Sequence, residues 1–369
     1  MTTKLLRPVL LFLGFAAGSA FGQPLTLPDA SPRANVAQTI GITTVALDYG
    51  RPSVGKREIW GKLVPYGYND LGFGTSKAAP WRAGANMNTT ISVQHDVKVA
   101  GQPLKAGTYG LSMALTETGG VTVIFSSNSS KWGSFFYDSA EDVLRVETKW
   151  EDAPFHEQLA YEFTDVTKTS ANLALLWEKK RIPISITVDT DAVVIANLKR
   201  ELTTAKGFTS LAWSAAADYV QSNNLDLNLA LEWAEHAVSG VGVGQKNFAT
   251  LAAKAGVLLK LKRATEARAT MDEAMPFGTV FDVHQYGRRL LAAGDAAHAL
   301  EVFKFNAQKH PNTWPVNYGL ARGLSAVGDY PAALAALLQA QKEIPAGDTL
   351  NGPAIQANIE KLKRGENIN

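Results

Sequence analysis

The sequence contains no cysteine at all. This absence excludes disulfide bonds, thiolate metal sites, cysteine nucleophiles and a lipid-modified cysteine anchor. Net charge is also nearly lacking, because 36 Lys and Arg residues stand against 34 Asp and Glu residues. Nucleic-acid binding depends on Lys and Arg side chains that neutralise phosphates, so we expect no nucleic-acid partner. A chain without disulfides must be stabilised by core burial, which 369 residues permit.

Long apolar runs are lacking after the N-terminus, since no later stretch approaches 18 consecutive apolar residues. At the N-terminus, Lys4 and Arg7 precede an apolar run that is too short to span a bilayer. Ala20 and Gly22 then put small residues at the positions that a signal peptidase recognises. We therefore expect residues 1–22 to be a cleaved signal peptide, with an uncleaved N-terminal anchor as the alternative. The mature chain would be exported to the periplasm or secreted, without a transmembrane segment.

From about residue 31 to residue 189 the sequence has the character of short β-strands. Runs rich in Val, Ile, Thr and aromatic residues alternate with turn residues, and no long helical period separates them. We predict nine strands, at residues 36–40, 43–49, 89–94, 108–115, 121–125, 143–148, 159–164, 172–178 and 182–188. This pattern predicts an antiparallel β-sandwich or barrel over residues 28–189.

The C-terminal half has the period of α-helices and repeats itself. The Gly294-Asp295 turn recurs as Gly328-Asp329, 34 residues later, and Pro311 and Pro345 are separated by the same interval. An interval of 34 residues is the tetratricopeptide period, and two weaker copies precede these. We therefore predict a tetratricopeptide-like α-helical solenoid over residues 190–369, with an unrelated helical bundle as the alternative. Such a solenoid has a concave surface suited to protein or peptide partners.

The strand-rich half also carries a set of short motifs. They are Ala30–Arg33, Asp48–Ser53, Gly55–Gly61, Leu63–Gly67, Trp81–Asn86, Lys105–Tyr109, Trp132–Gly133 and Trp177–Glu178. In this combination, and above all in Arg-Pro-Ser with Trp-Arg-x-Gly-Ala-Asn, the region resembles a family of mostly exported bacterial proteins, the domain of unknown function 2911. The resemblance covers residues 28–189, with Tyr68–Pro80 as an apparent insertion. It implies an exported β domain and no particular reaction.

Most polar residues of these motifs lie in or beside Gly50–Ala85, a Gly- and Pro-rich stretch without a sustained period. A loop of this length inside a compact domain is usually functional or partly disordered. The candidate ligand-binding residues are Arg51, Arg57, Trp60, Trp81, Arg82 and Asn86. Three arginines that converge on one cleft would hold a carboxylate or a phosphate. Alternatively, each arginine pairs with an acid such as Asp48, Glu58 or Glu178 and ties the loop to the sandwich.

Patterns typical of catalysis are lacking. The six histidines form no His-x-x-x-His or His-x-His pair, and no Gly-x-Ser-x-Gly sequence is present. We therefore predict no catalytic residue, no metal and no cofactor.

These observations favour an exported, non-enzymatic binding or scaffolding protein. Its β domain would recognise an unidentified anionic or sugar ligand, and its helical repeats would bind a protein or peptide. One alternative is an exported hydrolase with its site in the cleft of the three candidate arginines. Another is a carbohydrate-binding module that uses Trp60, Trp81 and Trp132 as an aromatic platform. β-Sandwich folds occur in both enzymes and binding proteins, so the choice between these functions depends on the position of the side chains.

Overall fold

The structure, a computed structural model, describes residues 27–369. The predicted signal peptide, residues 1–22, lies outside the described residues. The chain divides into two compact units between Thr190 and Asp191, here named the β domain and the helical domain. Within the described part, no helix combines the length and the apolar character that crossing a membrane requires.

The β domain is built from antiparallel strands. Within the described residues these are β1 (Arg33–Ile40), β2 (Thr43–Gly50), β3 (Thr89–Val93), β4 (Val97–Val99), β5 (Gln102–Leu104), β6 (Gly107–Leu115), β7 (Gly120–Ser126), β8 (Asp142–Lys149), β9 (Glu151–Thr164) and β10 (Ser170–Thr187). One sheet has the order β1-β2-β3-β6-β7-β8, and the other has the order β5-β4-β10-β9. Because the two sheets have separate hydrogen-bond ladders, the domain is a sandwich, which confirms the predicted fold class.

The core of the β domain lies between the two sheets. Along β2, Val45, Leu47 and Tyr49 are buried, whereas the residues between them are only partly covered. This alternation is that of a strand with one face on the core. From the other sheet, Tyr161 on β9 meets Tyr49 edge to face with ring centroids 4.8 Å apart, and its backbone N–H donates to the Tyr49 hydroxyl at 3.1 Å. The two sheets therefore share one apolar core.

Two parts of the strand prediction were wrong. The segments 172–178 and 182–188 belong to one long strand, β10, whose pairing with β9 is irregular between Leu176 and Lys180. Glu178 there has a left-handed φ of 54°, as expected at a bulge. The charged residues from Glu178 to Arg181 interrupt the apolar alternation, so in the sequence they resemble a turn between two strands. The short strands β4 and β5 were missed: each has only three residues, and Pro103 in β5 is typical of a turn.

The helical domain consists of short amphipathic helices in antiparallel pairs. Within the described residues these are α1 (Thr190–Glu201), α2 (Ser210–Ser222), α3 (Leu227–Ser239), α4 (Phe248–Lys260), α5 (Ala264–Ala274), α6 (Val280–Ala292), α7 (Ala296–Lys309), α8 (Trp314–Ala326), α9 (Tyr330–Glu343) and α10 (Asn351–Lys363). Helices α6 and α8 begin 34 residues apart, and so do α7 and α9. The predicted tetratricopeptide-like repeats are therefore confirmed.

The second helix of each pair has the same small residue at its fourth position. Ala230, Ala267, Ala299 and Ala333 occupy this position in α3, α5, α7 and α9, and all four are buried. A side chain of this size lets the paired helices approach closely. Repetition of one packing contact is what allows each pair to stack on the next.

Candidate functional site

A pocket of about 310 Å³ opens in the β domain, and we name it the loop pocket. Its walls come mainly from the long connection between β2 and β3. Leu63, Pro65 and Trp81 contribute an apolar wall, and Arg82 and Asn86 contribute polar atoms. This volume and this mixture of an apolar wall with a few polar groups are typical of small-molecule sites.

The connection that forms the loop pocket is held firmly on the sandwich. Trp81 exchanges two backbone hydrogen bonds of 2.8 Å with Met113 on β6. The Ala83 carbonyl accepts hydrogen bonds from the hydroxyls of Tyr161, at 2.9 Å, and Thr89, at 3.1 Å. Ala83 and Asn86 both have left-handed backbone, with φ of 49° and 62°. Non-glycine residues hold this conformation only where their surroundings enforce it, so this wall is preformed.

Arg82 is half-buried and has no acidic partner among the described residues. Its guanidinium donates to the Asn86 carbonyl at 2.5 Å and lies over the Phe135 ring, with 4.8 Å from its carbon to the ring centroid. Burial lowers the pKa of the Arg82 guanidinium, and no carboxylate among residues 27–369 forms an ion pair with it. A glycine at position 133 permits this arrangement, because a Cβ there would collide with the guanidinium. Asn86 holds the loop in turn, since its amide donates to Asp29 at 2.7 Å.

The other two candidate arginines are bound to backbone carbonyls. Arg51 donates from Nε to the Leu159 carbonyl at 2.9 Å and does not line the loop pocket. Arg57 lines the loop pocket, is exposed, and donates to the carbonyls of Val54, at 3.1 Å, and Ser53. The structure thus does not bring all three arginines to one cleft. It does not give them the expected acidic partners either, since Asp48 pairs instead with Arg33.

The candidate tryptophans divide between two aromatic clusters. Trp60, which does not line the pocket, and Trp81 pack together edge to face, with centroids 6.0 Å apart. Trp81 also stacks on Trp177, at 5.9 Å and 14° between the planes. Trp132 is 51% exposed and contacts the rings of Phe73 and Phe135. Trp60 and Trp81 thus pack on each other and on Trp177, whereas Trp132 packs on other rings, so the three tryptophans do not form the shared platform that a carbohydrate-binding module would need.

Sequence reasoning missed Trp177 as a pocket residue. The sequence placed it only in a predicted strand and in a family motif; in the structure it lies in β10 and is 1% exposed. Its ring nevertheless lines the loop pocket, and its indole N–H is buried without a hydrogen-bond partner among the described residues. The motif Trp177–Glu178 was the available signal, but only the tertiary structure brings β10 to the pocket.

Among the described residues that line the loop pocket there is no His, Asp, Glu or Lys side chain. Its hydroxyl groups come from Ser31 and Ser134, and neither has a base beside it in the lining. Hydrolysis requires a general base or an activated nucleophile. Residues 27–369 also contain no group of three or more His, Asp or Glu residues that could hold a metal ion.

A second concave surface lies in the helical domain, where α6, α8 and α10 form a groove of about 300 Å³. We name it the repeat groove. Arg288 and His284 on α6 and Arg322 and Tyr318 on α8 line it. Each α8 residue follows its α6 counterpart by 34 residues, so both pairs occupy equivalent positions of successive repeats. The period that revealed the repeats therefore also contained the signal for this groove, which sequence reasoning did not use.

The repeat groove is positively charged. The Arg322 guanidinium lies 4.6 Å from the Tyr318 ring centroid and donates to the Tyr318 hydroxyl at 2.9 Å. Burial, together with the charges of Arg288 and Arg322, lowers the pKa of His284 from 6.5 to about 4. His284 is therefore neutral near pH 7. No Asp or Glu occurs among the described residues that line the groove, so its two arginine charges are not neutralised there.

Several solved structures resemble the helical part of the chain at low identity. The C-terminal part of a TPR repeat-containing protein from Cytophaga hutchinsonii is 15% identical, with a TM-score of 0.36; the match covers 47% of this chain and 66% of that chain. A thermophilic TPR protein from Thermus thermophilus is 16% identical, with a TM-score of 0.30 and coverage of 47% and 90%. YrrB, a TPR protein with an unusual peptide-binding site, is 15% identical, with a TM-score of 0.29 and coverage of 46% and 88%.

No curated protein matches the chain. The β domain does match a family, however, and the match extends over nearly all of its strands. Residues 31–186 match the family described as "Protein of unknown function (DUF2911)", which confirms the family predicted for this half of the chain.

Proposed function

We propose that this protein is an exported, non-enzymatic binding or scaffolding protein with two binding surfaces. The helical domain binds a protein or peptide partner in the repeat groove, and the β domain binds a ligand in the loop pocket. The observation that carries the proposal is the pair of arginines, Arg288 and Arg322, at equivalent positions of one groove without a carboxylate among its described lining residues. Export is supported by the signal-peptide pattern of residues 1–22.

The chemistry of the repeat groove favours an acidic partner. Two arginine charges on one concave surface attract carboxylates and disfavour basic segments. Phe281, which is 62% exposed, and Trp314 add apolar surface beside the arginines. Aromatic and arginine side chains together supply most of the binding energy in protein interfaces. We therefore assign to the groove an acidic peptide segment that also carries apolar side chains.

Fluorescence anisotropy with a labelled peptide of alternating Glu and Leu residues tests this assignment. We expect the Glu peptide to bind, a matched Lys and Leu peptide not to bind, and the affinity to fall as salt is added. Arg288→Glu and Arg322→Glu should each weaken binding by at least about tenfold, a change typical of a truncated close charge pair.

Arg289→Glu provides the matched control, because Arg289 is the next residue of α6, is exposed, and does not line the groove. It carries the same change of charge. Equal losses for Arg288→Glu and Arg289→Glu would show that overall charge, and not the groove, binds the peptide. Equal binding of the acidic and basic peptides would refute the assignment.

A further inference from the structure

The loop pocket has a cationic end beside an apolar wall. At the cationic end, Arg82 donates one hydrogen bond to the Asn86 carbonyl and has no acidic partner among the described residues. Leu63, Pro65 and Trp81 form the apolar wall. A half-buried arginine is normally paired, because taking an unpaired charge out of water is costly. This cation is therefore suited to an anionic group that enters from outside.

The buried indole N–H of Trp177 is a second feature that a ligand acceptor would satisfy. Trp177 is 1% exposed, lines the loop pocket, and has no acceptor for this N–H among residues 27–369. Buried donors without partners are rare in folded proteins, and each has a free-energy cost. A ligand acceptor atom that reached this N–H would remove this cost.

The polar end of the pocket is also arranged in advance. Hydrogen bonds from Tyr161 and Thr89 fix Ala83, and the paired backbone of Trp81 and Met113 fixes the start of the same segment. A preformed site loses little conformational entropy when a ligand binds. The loop geometry thus supports binding without a closing movement.

We infer that the loop pocket binds a small organic carboxylate, with its carboxylate on Arg82, its apolar body against Leu63, Pro65 and Trp81, and a second acceptor atom at the Trp177 indole N–H. The inference rests on the proposed ligand-binding role of the β domain. The planar guanidinium fork matches a carboxylate. A phosphate would need more donors, and Arg57, the other cation of the pocket, already donates to two backbone carbonyls.

Isothermal titration calorimetry of the purified full chain tests the inference with three probes. They are para-methoxycinnamate, which has a carboxylate, a flat apolar body and an ether acceptor; the uncharged para-methoxycinnamyl alcohol; and inorganic phosphate. We expect the carboxylate to bind at least about tenfold more tightly than the alcohol, the difference expected for a charge-assisted contact, and phosphate not to compete.

Two results would overturn the carboxylate assignment while leaving a ligand-binding β domain in place. They are equal binding of the alcohol and the carboxylate, and tighter binding of phosphate. Failure of all three probes would reject the carboxylate inference and the ligand-binding role of the pocket together. The peptide experiment on the repeat groove is unaffected by any of these outcomes.

Substitutions at Leu63 test the negative charge of the ligand without disturbing the core, because Leu63 is 43% exposed. Leu63→Asp places a negative charge in the pocket and should weaken carboxylate binding by at least about tenfold. Leu63→Asn introduces a side chain of the same shape as Asp but without the charge, so it should weaken carboxylate binding less. Arg82→Gln should abolish the preference for the carboxylate over the alcohol. Arg51→Gln is its control, since Arg51 lies outside the pocket. Equal effects of Leu63→Asp and Leu63→Asn would contradict the proposal.

Discussion

The guanidinium carbon of Arg82 lies 4.8 Å from the centroid of the Phe135 ring. An aromatic face stabilises a cation without neutralising its charge. Arg82 is therefore held in position at the loop pocket while its charge stays available, and no acid within the described residues competes for it. This contact distinguishes Arg82 from Arg51, whose hydrogen bond to the Leu159 carbonyl serves only to tie the loop to β9.

Arg82→Ala should destabilise the β domain only moderately. The substitution removes one hydrogen bond and the contact with Phe135, which together contribute about 1–2 kcal/mol. It leaves no buried carboxylate without a partner, an effect that would cost about 3–5 kcal/mol. Urea unfolding of Arg82→Ala, with Arg82→Lys as the variant that keeps the charge, measures the difference. A loss above about 3 kcal/mol would mean that Arg82 pairs with a buried acid after all.

Gly287→Ala should destabilise the helical domain. Gly287 on α6 faces the fully buried ring of Phe303 on α7, and a Cβ at position 287 would lie 2.6 Å from Phe303 Cε1. Neither the added Cβ nor the Phe303 ring has room to move away, so we expect the free energy of unfolding to fall by about 1–3 kcal/mol, as for other overpacked cores. Thermal and urea unfolding followed by helical circular dichroism measure this loss.

Gly352→Ala is the matched control for Gly287→Ala. Gly352 lies in α10, and a Cβ there would meet no atom within 4 Å. Because Ala favours the helix over Gly, this variant should be unchanged or more stable by up to about 1 kcal/mol. If both glycine variants lost stability equally, the contact with Phe303 would not be the cause.

The stability of the helical domain should depend on pH through His284. Burial and the neighbouring arginines lower the pKa of His284 from 6.5 to about 4, so between these values the unfolded chain binds more protons than the folded chain. The contribution of neutral His284 to the free energy of unfolding is thus complete above pH 6.5 and is lost as the pH falls towards 4. The slope is at most about 1.4 kcal/mol per pH unit.

Urea unfolding of the helical domain at several pH values tests this dependence, with His284→Gln as the variant that cannot titrate. We expect the variant to show a smaller slope in the acid range than the unaltered protein. His156→Gln, in the β domain, is the control and should keep the full slope. A slope in His284→Gln equal to that of the unaltered protein would exclude His284 as the titrating group.

The mature protein should begin near Gln23. The basic start, the short apolar run and the small residues at Ala20 and Gly22 predict cleavage after residue 22 during export. N-terminal sequencing of the protein from an exported fraction checks the site directly. Recovery of the chain with residues 1–22 still attached would instead support the uncleaved anchor.

The fold was largely predictable because it follows from local periods. The sequence itself shows the alternation of apolar residues along strands such as β2 and the 34-residue interval between Gly294 and Gly328. The long strand β10 was divided in two because its charged run from Glu178 to Arg181 resembles a turn. Two of these charges are in fact paired across the sheet, Lys180 with Asp152 and Arg181 with Glu151.

The candidate sites were only partly predictable, because they depend on residues that are distant along the chain. The sequence by itself determined the two fold classes, the family of the β domain, and Arg82, Trp81 and Asn86 as residues of interest. Only the tertiary structure decided that Trp177 reaches the same pocket and that Arg51 does not. The physical reason is that strand and helix periods are set by neighbours along the chain, whereas the partners of a side chain are set by the packing of sheets and helices.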